Sequence, residues 1–402
     1  MTPAEYDEEK TVIYAAGRPF VDRIEECIQR YRARRRMDVD RNKLFTEYLT
    51  LGGIDCSVRQ FQSANKITDD MLLESSKSAI REMIADDVII RTGDSTYCRY
   101  YNPNNPEHWD VDFTGVASAF LSDHVLRQAG NDISMVAMAA DVVGNFLRYV
   151  VQHDVCPEHA EDIDNALKVC DRAVEEAVCI EDITQALPSN FCSALRFLKC
   201  IGDKDKEQMS DIFRRKDEQH AVVTVGCAAL MWLPVLEKAI HRQQEWHVVD
   251  TSTHTYEVCN IRLSTDEMKS KLADLNRSLR YPKRKICAVF TARRAVVPDG
   301  WDQTGTAIPE EDKGEVEFVI EEAVVKNLKP GMKLTLVVCT TSLGWKFIKR
   351  IEDVKPSYYL FIPQELMITF KEPVFVDLSG PSIWSAQGFD INDVPIGDKD
   401  VV

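Results

Sequence analysis

The sequence lacks the paired cysteine spacing that marks a zinc ribbon, a redox dithiol or a secreted disulfide framework. Its 12 cysteines are scattered through 402 residues with no C-x-x-C pair, and Cys170, Cys192, Cys227, Cys287 and Cys339 have mostly apolar or helical neighbours. Reduced, buried thiols in a cytosolic or nuclear protein are expected. Met1-Thr2-Pro3-Ala4-Glu5 leads into an acidic stretch rather than a secretory signal. Long apolar runs are also missing. The longest uncharged stretch, Ala221–Leu236, has 16 residues and contains Pro234, short of the ~20 that a spanning helix needs. No membrane contact is expected. Glycine (17) and proline (16) are not enriched, which argues against a long disordered linker inside the chain.

Signatures of catalysis are absent as well. There is no G-x-S-x-G turn and no kinase-like motif set. Gly52-Gly53 fits neither the Walker pattern nor the dinucleotide fingerprint and reads as a helix stop. His124 falls on an apolar helical stripe, the place of a satisfied core histidine. The carboxylate pairs Asp69/Asp70 and Asp86/Asp87 read as cap and solvated-face residues. His153, Cys156 and His159 place two imidazoles and a thiol within seven residues, with Cys170 one helix away. A structural zinc needs four ligands at a recognised spacing, so a helix end at His153 and Pro157 opening the next helix is the preferred reading. No cofactor is expected.

What is present is an ordinary globular composition, 45% hydrophobic and 28% charged, and a length that accommodates two or three domains. The net charge of −16 is unevenly spread: residues 44–245 hold 19 Lys/Arg against 33 Asp/Glu. Such a body repels phosphate, so any RNA contact must be local.

Apolar residues recur at helical spacing from about Arg18 to Leu51, with a break near Met37-Asp38. They recur again over 69–86, 113–125, 133–150, 163–177, 190–200, 204–215 and 219–244. Val88-Ile89-Ile90 reads as a short strand and residues 100–110 as a loop. Near Trp246 the pattern changes to short β-branched and aromatic runs: 248–249, 256–258, 286–290, 316–320, 334–338, 345–348, 358–362 and 367–370. Ser264-Thr265-Asp266-Glu267 has capping-box spacing and opens one intervening helix. The expected class is α+β: a mainly helical N-terminal two-thirds followed by a β-rich C-terminal domain, a small barrel or sandwich. The expected divisions are N-terminal helices with a basic segment (1–51), a helical domain (52–245), the β-rich domain (246–380) and a loose acidic tail (381–402).

The densest charge feature is basic. Arg30, Arg32, Arg34, Arg35, Arg36, Arg41 and Lys43 face only Asp38 and Asp40 across residues 29–43. Arginine forks suit phosphate and carboxylate recognition. Arg32, Arg34, Arg35 and Arg36 are therefore the candidate partner- or RNA-binding residues. The competing reading, preferred slightly, is a helix that docks on the acidic residues of 44–245. A smaller cluster, Lys283-Arg284-Lys285 with Arg293-Arg294, flanks a predicted strand.

Several stretches resemble one family. They are Arg18-Pro19-Phe20, Arg23-Ile24-Glu25-Glu26-Cys27-Ile28, Tyr48-Leu49-Thr50-Leu51-Gly52-Gly53-Ile54-Asp55 with Arg59-Gln60-Phe61, and Asn145-Phe146-Leu147-Arg148-Tyr149 leading to His153-Asp154-Val155-Cys156-Pro157-Glu158. Trp246-His247-Val248-Val249-Asp250 and Phe361-Ile362-Pro363-Gln364-Glu365-Leu366 extend the likeness. Together they are similar to the fungal Argonaute-binding subunit of the Argonaute siRNA chaperone complex. The resemblance implies a non-catalytic protein whose partners are Argonaute, a second chaperone subunit and an siRNA duplex, the last through Argonaute. It implies restraint of slicing or passenger-strand release, histone H3 lysine-9 methylation and heterochromatin assembly, in the nucleus with a cytoplasmic pool. It brings no catalytic residue and no metal site. Two alternatives stand beside it: an enzyme assembled from scattered Cys and His residues, or a direct double-stranded RNA binder.

Overall fold

The computed structural model describes residues 3–54, 56, 110–130, 132–187, 189–199, 211–242, 244–278, 284–297, 308 and 314–362. The expected helix at 69–86, the strands at 88–90 and 367–370, nearly all of the loop at 100–110 and the tail at 381–402 lie outside them, as do Asp55, Arg59, Gln60 and Phe61.

Helix α1 (Pro3–Glu8) runs into a π-helical turn, Glu9–Ile13. Helices α2 (Phe20–Arg34) and α3 (Val39–Leu51) follow, with the break where Met37-Asp38 implied one. Asp38 makes that break a start: its Oδ1 accepts from the Arg41 N–H at 2.8 Å, capping α3. Gly53, at φ 85°, ends α3 in the left-handed region that favours glycine.

After α4 (Phe113–Ala119) a second π-turn, Phe120–His124, leads into α5 (Val125–Ala129). A Cβ at Gly115 in α4 would sit 1.9 Å from Asp112 Oδ2 and displace the carboxylate that caps the helix. Helix α6 (Ile133–Gln152) is apolar and long enough to cross a bilayer, but 56% of that window is buried inside the protein, as in a core helix. Helix α7 (Ala160–Ala186) spans about 40 Å at 1.5 Å per residue. Helices α8 (Asn190–Lys199), α9 (Asp211–Trp232) and α10 (Pro234–His241) complete the helical part, with Pro234 separating the last two.

The C-terminal part is one five-stranded antiparallel sheet of order β3-β2-β1-β4-β5. Strand β1 (Val248–Arg262) is central and 15 residues long, joining two runs that the sequence suggested were separate. The polar stretch between them, Asp250 to Thr255, pairs throughout with β4 (Lys333–Thr341). On its other side β1 pairs with β2 (Cys287–Arg294), which pairs with β3 (Glu315–Glu321). Strand β5 (Lys346–Lys355) is the opposite edge. Bulges at Val248/Asp250 and Val258/Asn260 bend β1. The sheet curls until β3 and β5 come within 8 Å without pairing, so it is an unclosed barrel. Helix α8 packs against both of those edge strands.

Two local expectations need correction. Residues 358–362 are not a strand. Pro356 offers no N–H to extend β5, the Ser357 N–H goes to Glu176 Oε2 at 2.8 Å, and Tyr358 turns into the helical core. Nor does Ser264 cap α11 (Asp266–Ser278). Thr265 Oγ1 accepts from Met268 N at 3.3 Å, while the Ser264 hydroxyl donates to Cys287 O at 2.7 Å.

The apolar interior falls into two cores. One gathers buried residues from Ile13 to Ala177 with Tyr358; the other runs from Ile183 to Val354 and combines α8 and α9 with the sheet. Helix α7 contributes to both.

Candidate protein-interaction site

The basic segment is the last turn of α2 and the turn that follows. Arginine is well placed there, because the helix C-terminus carries partial negative charge. Its side chains go to different places. Arg34 reaches inward: Nη2 donates to Glu9 Oε1 at 2.9 Å and Nη1 to the Tyr149 hydroxyl at 3.2 Å. Arg32 lies over the Phe45 ring at 5.2 Å and donates to Thr46 Oγ1 at 2.9 Å. Burial lowers the Arg32 pKa, and its Nε has no hydrogen-bond partner. Arg35 is exposed, edging the Tyr31 ring at 5.9 Å, and Arg36 is exposed in the turn beside exposed Val39. The four candidate arginines thus divide by partner: Arg32 and Arg34 form an inward pair held by neighbours, with Arg34 itself still 36% exposed, and Arg35 and Arg36 form an outward pair.

Glu9 explains the inward half. This carboxylate opens the first π-turn and is only 3% exposed. Arg30 Nη1 approaches Oε1 at 3.2 Å, and His153 Nδ1 donates to Oε2 at 2.7 Å. Burial works to raise its pKa, but the hydrogen bonds and positive charge of His153 and Arg34 together outweigh it, so the net shift is downward. Glu9 therefore stays ionised and ties the N-terminal turn to α2 and to the end of α6. In the sequence Glu9 is one of four clustered acids, Glu5, Asp7, Glu8 and Glu9, and no local pattern sets it apart.

The other sequence candidates are also held by neighbours. His153 belongs to Glu9, His159 lies edge-on to Phe20 with centroids 5.3 Å apart, and Cys156 is buried. Among the described residues no group of three or more His, Cys, Asp or Glu is placed to hold a metal ion. Burial pushes the Cys156 and Cys170 thiols up to about 12 and Cys192 to about 11, far from the thiolate that a nucleophile needs. His124 is buried, 3.2 Å from Glu47 Oε2, and stacks on Phe120. In the second basic cluster Lys285 pairs with Glu321, Arg293 with Glu257, and Arg294 contacts His254. The Arg284 N–H donates to Asn276, and Lys283 lies outside the described residues.

One concave feature was not legible in the sequence. Helices α2, α3, α4 and α6 enclose a cavity of about 100 Å³ walled by Ile24, Ile28, Leu49, Phe113, Val116 and Phe146. Asp110 and Asp112 line it and are exposed, and among the described residues no Lys or Arg lines it.

A folded body whose arginines and buried acids tie elements together, with an outward arginine pair and an apolar cavity, has the features of an interaction protein. The chain belongs to the family of the Argonaute siRNA chaperone (ARC) complex subunit Arb1, whose model matches residues 1–373. It is also 25% identical over 375 residues to Argonaute-binding protein 1 of Schizosaccharomyces pombe, covering 90% of this chain and 87% of that one. No solved structure matches. The family description and the relative's name both point to a binding subunit rather than an enzyme.

Proposed function

We propose that this protein is the non-catalytic Argonaute-binding subunit of an siRNA chaperone complex. In that role it holds Argonaute together with a second subunit and, through Argonaute, an siRNA duplex. It restrains slicing or passenger-strand release and supports RNA-directed histone H3 lysine-9 methylation and heterochromatin assembly in the nucleus. The observation that carries this reading is the family match over residues 1–373. The structure supports it in two ways. Of the Cys and His candidates, His153 is bonded to Glu9, His124 lies against Glu47, and Cys156 and Cys170 are buried. The outward pair Arg35 and Arg36 offers exposed positive charge on an acidic chain, a surface suited to an acidic protein face.

Affinity purification of the tagged chain from its native cells, with and without nuclease, tests the proposal. The expected result is Argonaute and a second protein retained after nuclease, with small RNA lost only when Argonaute is removed. RNA retained in the absence of Argonaute would favour direct RNA binding. A preparation lacking Argonaute would overturn the proposal.

A further inference from the structure

We infer that the cavity between α2, α3, α4 and α6 is a docking site for a segment of a partner protein. That segment carries one large apolar side chain next to a lysine or arginine. The inference rests on the reading of this chain as a binding subunit and assigns a surface to that role.

Three observations carry it. The first is the wall. Ile24, Ile28, Leu49, Phe113 and Phe146 are themselves buried core residues, so the cavity is formed by fixed, packed side chains. Its volume of about 100 Å³ suits a single leucyl or aromatic side chain.

The second is Gly52. It lines the cavity at φ −73° and ψ 7°, a conformation open to any residue. An added Cβ would meet only Leu49 O at 3.4 Å, Tyr48 O at 3.6 Å and Val116 Cγ1 at 3.6 Å, all ordinary contacts. The neighbouring Gly53 needs to be glycine for its backbone; Gly52 does not. The missing side chain at Gly52 leaves the space open, and a branched residue there would reach into it.

The third is the rim. Asp110 is exposed, and Asp112 spends one oxygen on the Gly115 N–H at 2.6 Å. Behind them, Asp162 fixes the start of α4 by accepting from the N–H groups of Phe113 and Thr114 at 2.6 and 3.2 Å. Two carboxylates, Asp110 and Asp112, thus line an apolar opening that no Lys or Arg lines among the described residues, on a chain of net charge −16. Charge complementarity selects a basic neighbour for the apolar anchor, and a buried apolar anchor is where binding energy concentrates.

The test uses the full chain with 13C-labelled isoleucine methyls, so that Ile24, Ile28, Ile54 and Ile362 report on the cavity they line. The probes are tryptamine, an indole with an ammonium, and indole-3-acetate, an indole with a carboxylate. Tryptamine is expected to shift these methyls saturably and to bind up to about fivefold tighter than indole-3-acetate, as one surface charge contact allows. Gly52→Leu should abolish the shifts and leave the melting temperature intact. Asp110→Lys, at an exposed position, should reverse the order of the two probes. No response to either probe, or equal affinities that Asp110→Lys does not change, would overturn the inference.

Co-purification separates this inference from the functional reading. If the wild-type chain retains Argonaute and a second subunit and Gly52→Leu retains both equally, the docking role fails while the function stands. If tryptamine binds as expected and the wild-type chain retains no Argonaute, the function fails while the site stands.

Discussion

Arg34 Nη2 donates to Glu9 Oε1 at 2.9 Å across 25 positions of sequence, and the acceptor is the more deeply buried of the two. The pair makes the basic run partly internal. A buried carboxylate that accepts from two arginines and a histidine is costly to leave unpaired, and each of its partners loses a contact if it goes. Glu9→Gln should therefore lower stability by about 2 kcal/mol, discounted because Arg30 and Arg34 are roughly a third exposed. Urea denaturation of the variant against wild type checks this. A change within about 0.5 kcal/mol, the range of an ordinary surface substitution, would show that the network contributes little.

Acid should act on the same contacts. The pKa values of Glu9, Glu47 and Glu158 all lie below the usual 4.5. For Glu9 and Glu47, burial opposes the shift and hydrogen bonds from histidine overcome it with help from other partners; for Glu158, the Arg23 hydrogen bond leads. A carboxylate with a depressed folded-state pKa contributes stability that is fully present above its unfolded value. That contribution is lost as pH falls through the folded value. The urea midpoint should therefore hold from pH 7 to about 5 and decline below the ordinary carboxylate range. In Glu9→Gln the decline should be shallower. Parallel declines in the two proteins would remove Glu9 from the account.

The two cores give the folding units a physical basis that the residue pattern does not. The change of pattern at Trp246 marks a change from helix to strand. The core of the sheet, however, also contains Phe191, Leu195 and Val225 from α8 and α9. A fragment starting at Trp246 would expose the faces of Phe290, Phe318 and Leu336 that share this core. We expect fragment 246–380 to lack dispersed methyl resonances when expressed alone, and fragment 178–380 to gain them. A well-folded 246–380 fragment would instead support a unit boundary at Trp246.

Much of the architecture was legible because it rests on periodicity. The apolar stripe through Val136, Val143, Phe146, Leu147 and Val150 predicts α6, and the short β-branched and aromatic runs at 286–290, 316–320, 334–338 and 345–348 predict β2 to β5. What escaped were contacts between residues distant in sequence. Tyr358 looks like a strand residue and becomes a helical-core residue, because Glu176, 181 positions earlier, captures the Ser357 N–H. Ser264 has capping spacing and is diverted to Cys287 O on β2. The cavity has walls from four helices, so no local pattern announces it. The arginine run was visible as charge, but its division into inward and outward pairs depends on Glu9, Phe45 and Thr46, each placed by tertiary packing.

That division makes the last prediction. Arg32 stacks on Phe45 and bonds Thr46, and Arg34 bonds Glu9 and Tyr149, whereas Arg35 and Arg36 extend from the exposed turn. Replacing the inward pair, Arg32→Gln with Arg34→Gln, should lower the melting temperature, because a buried acceptor on Glu9 and the face of Phe45 lose their partners. Bound Argonaute per folded molecule should not change. Replacing the outward pair, Arg35→Gln with Arg36→Gln, should leave stability within about 0.5 kcal/mol of wild type. If this turn meets an acidic protein face, the outward variant should associate with Argonaute more slowly, and the deficit should shrink as salt is raised. If it meets RNA phosphates instead, nuclease treatment of the wild-type complex should slow association by the same amount. The acidity of the surrounding chain favours the protein face. Association rates of both variants at two salt concentrations, with and without nuclease, read all of these outcomes. A normal on-rate for the outward variant would remove Arg35 and Arg36 from the binding surface.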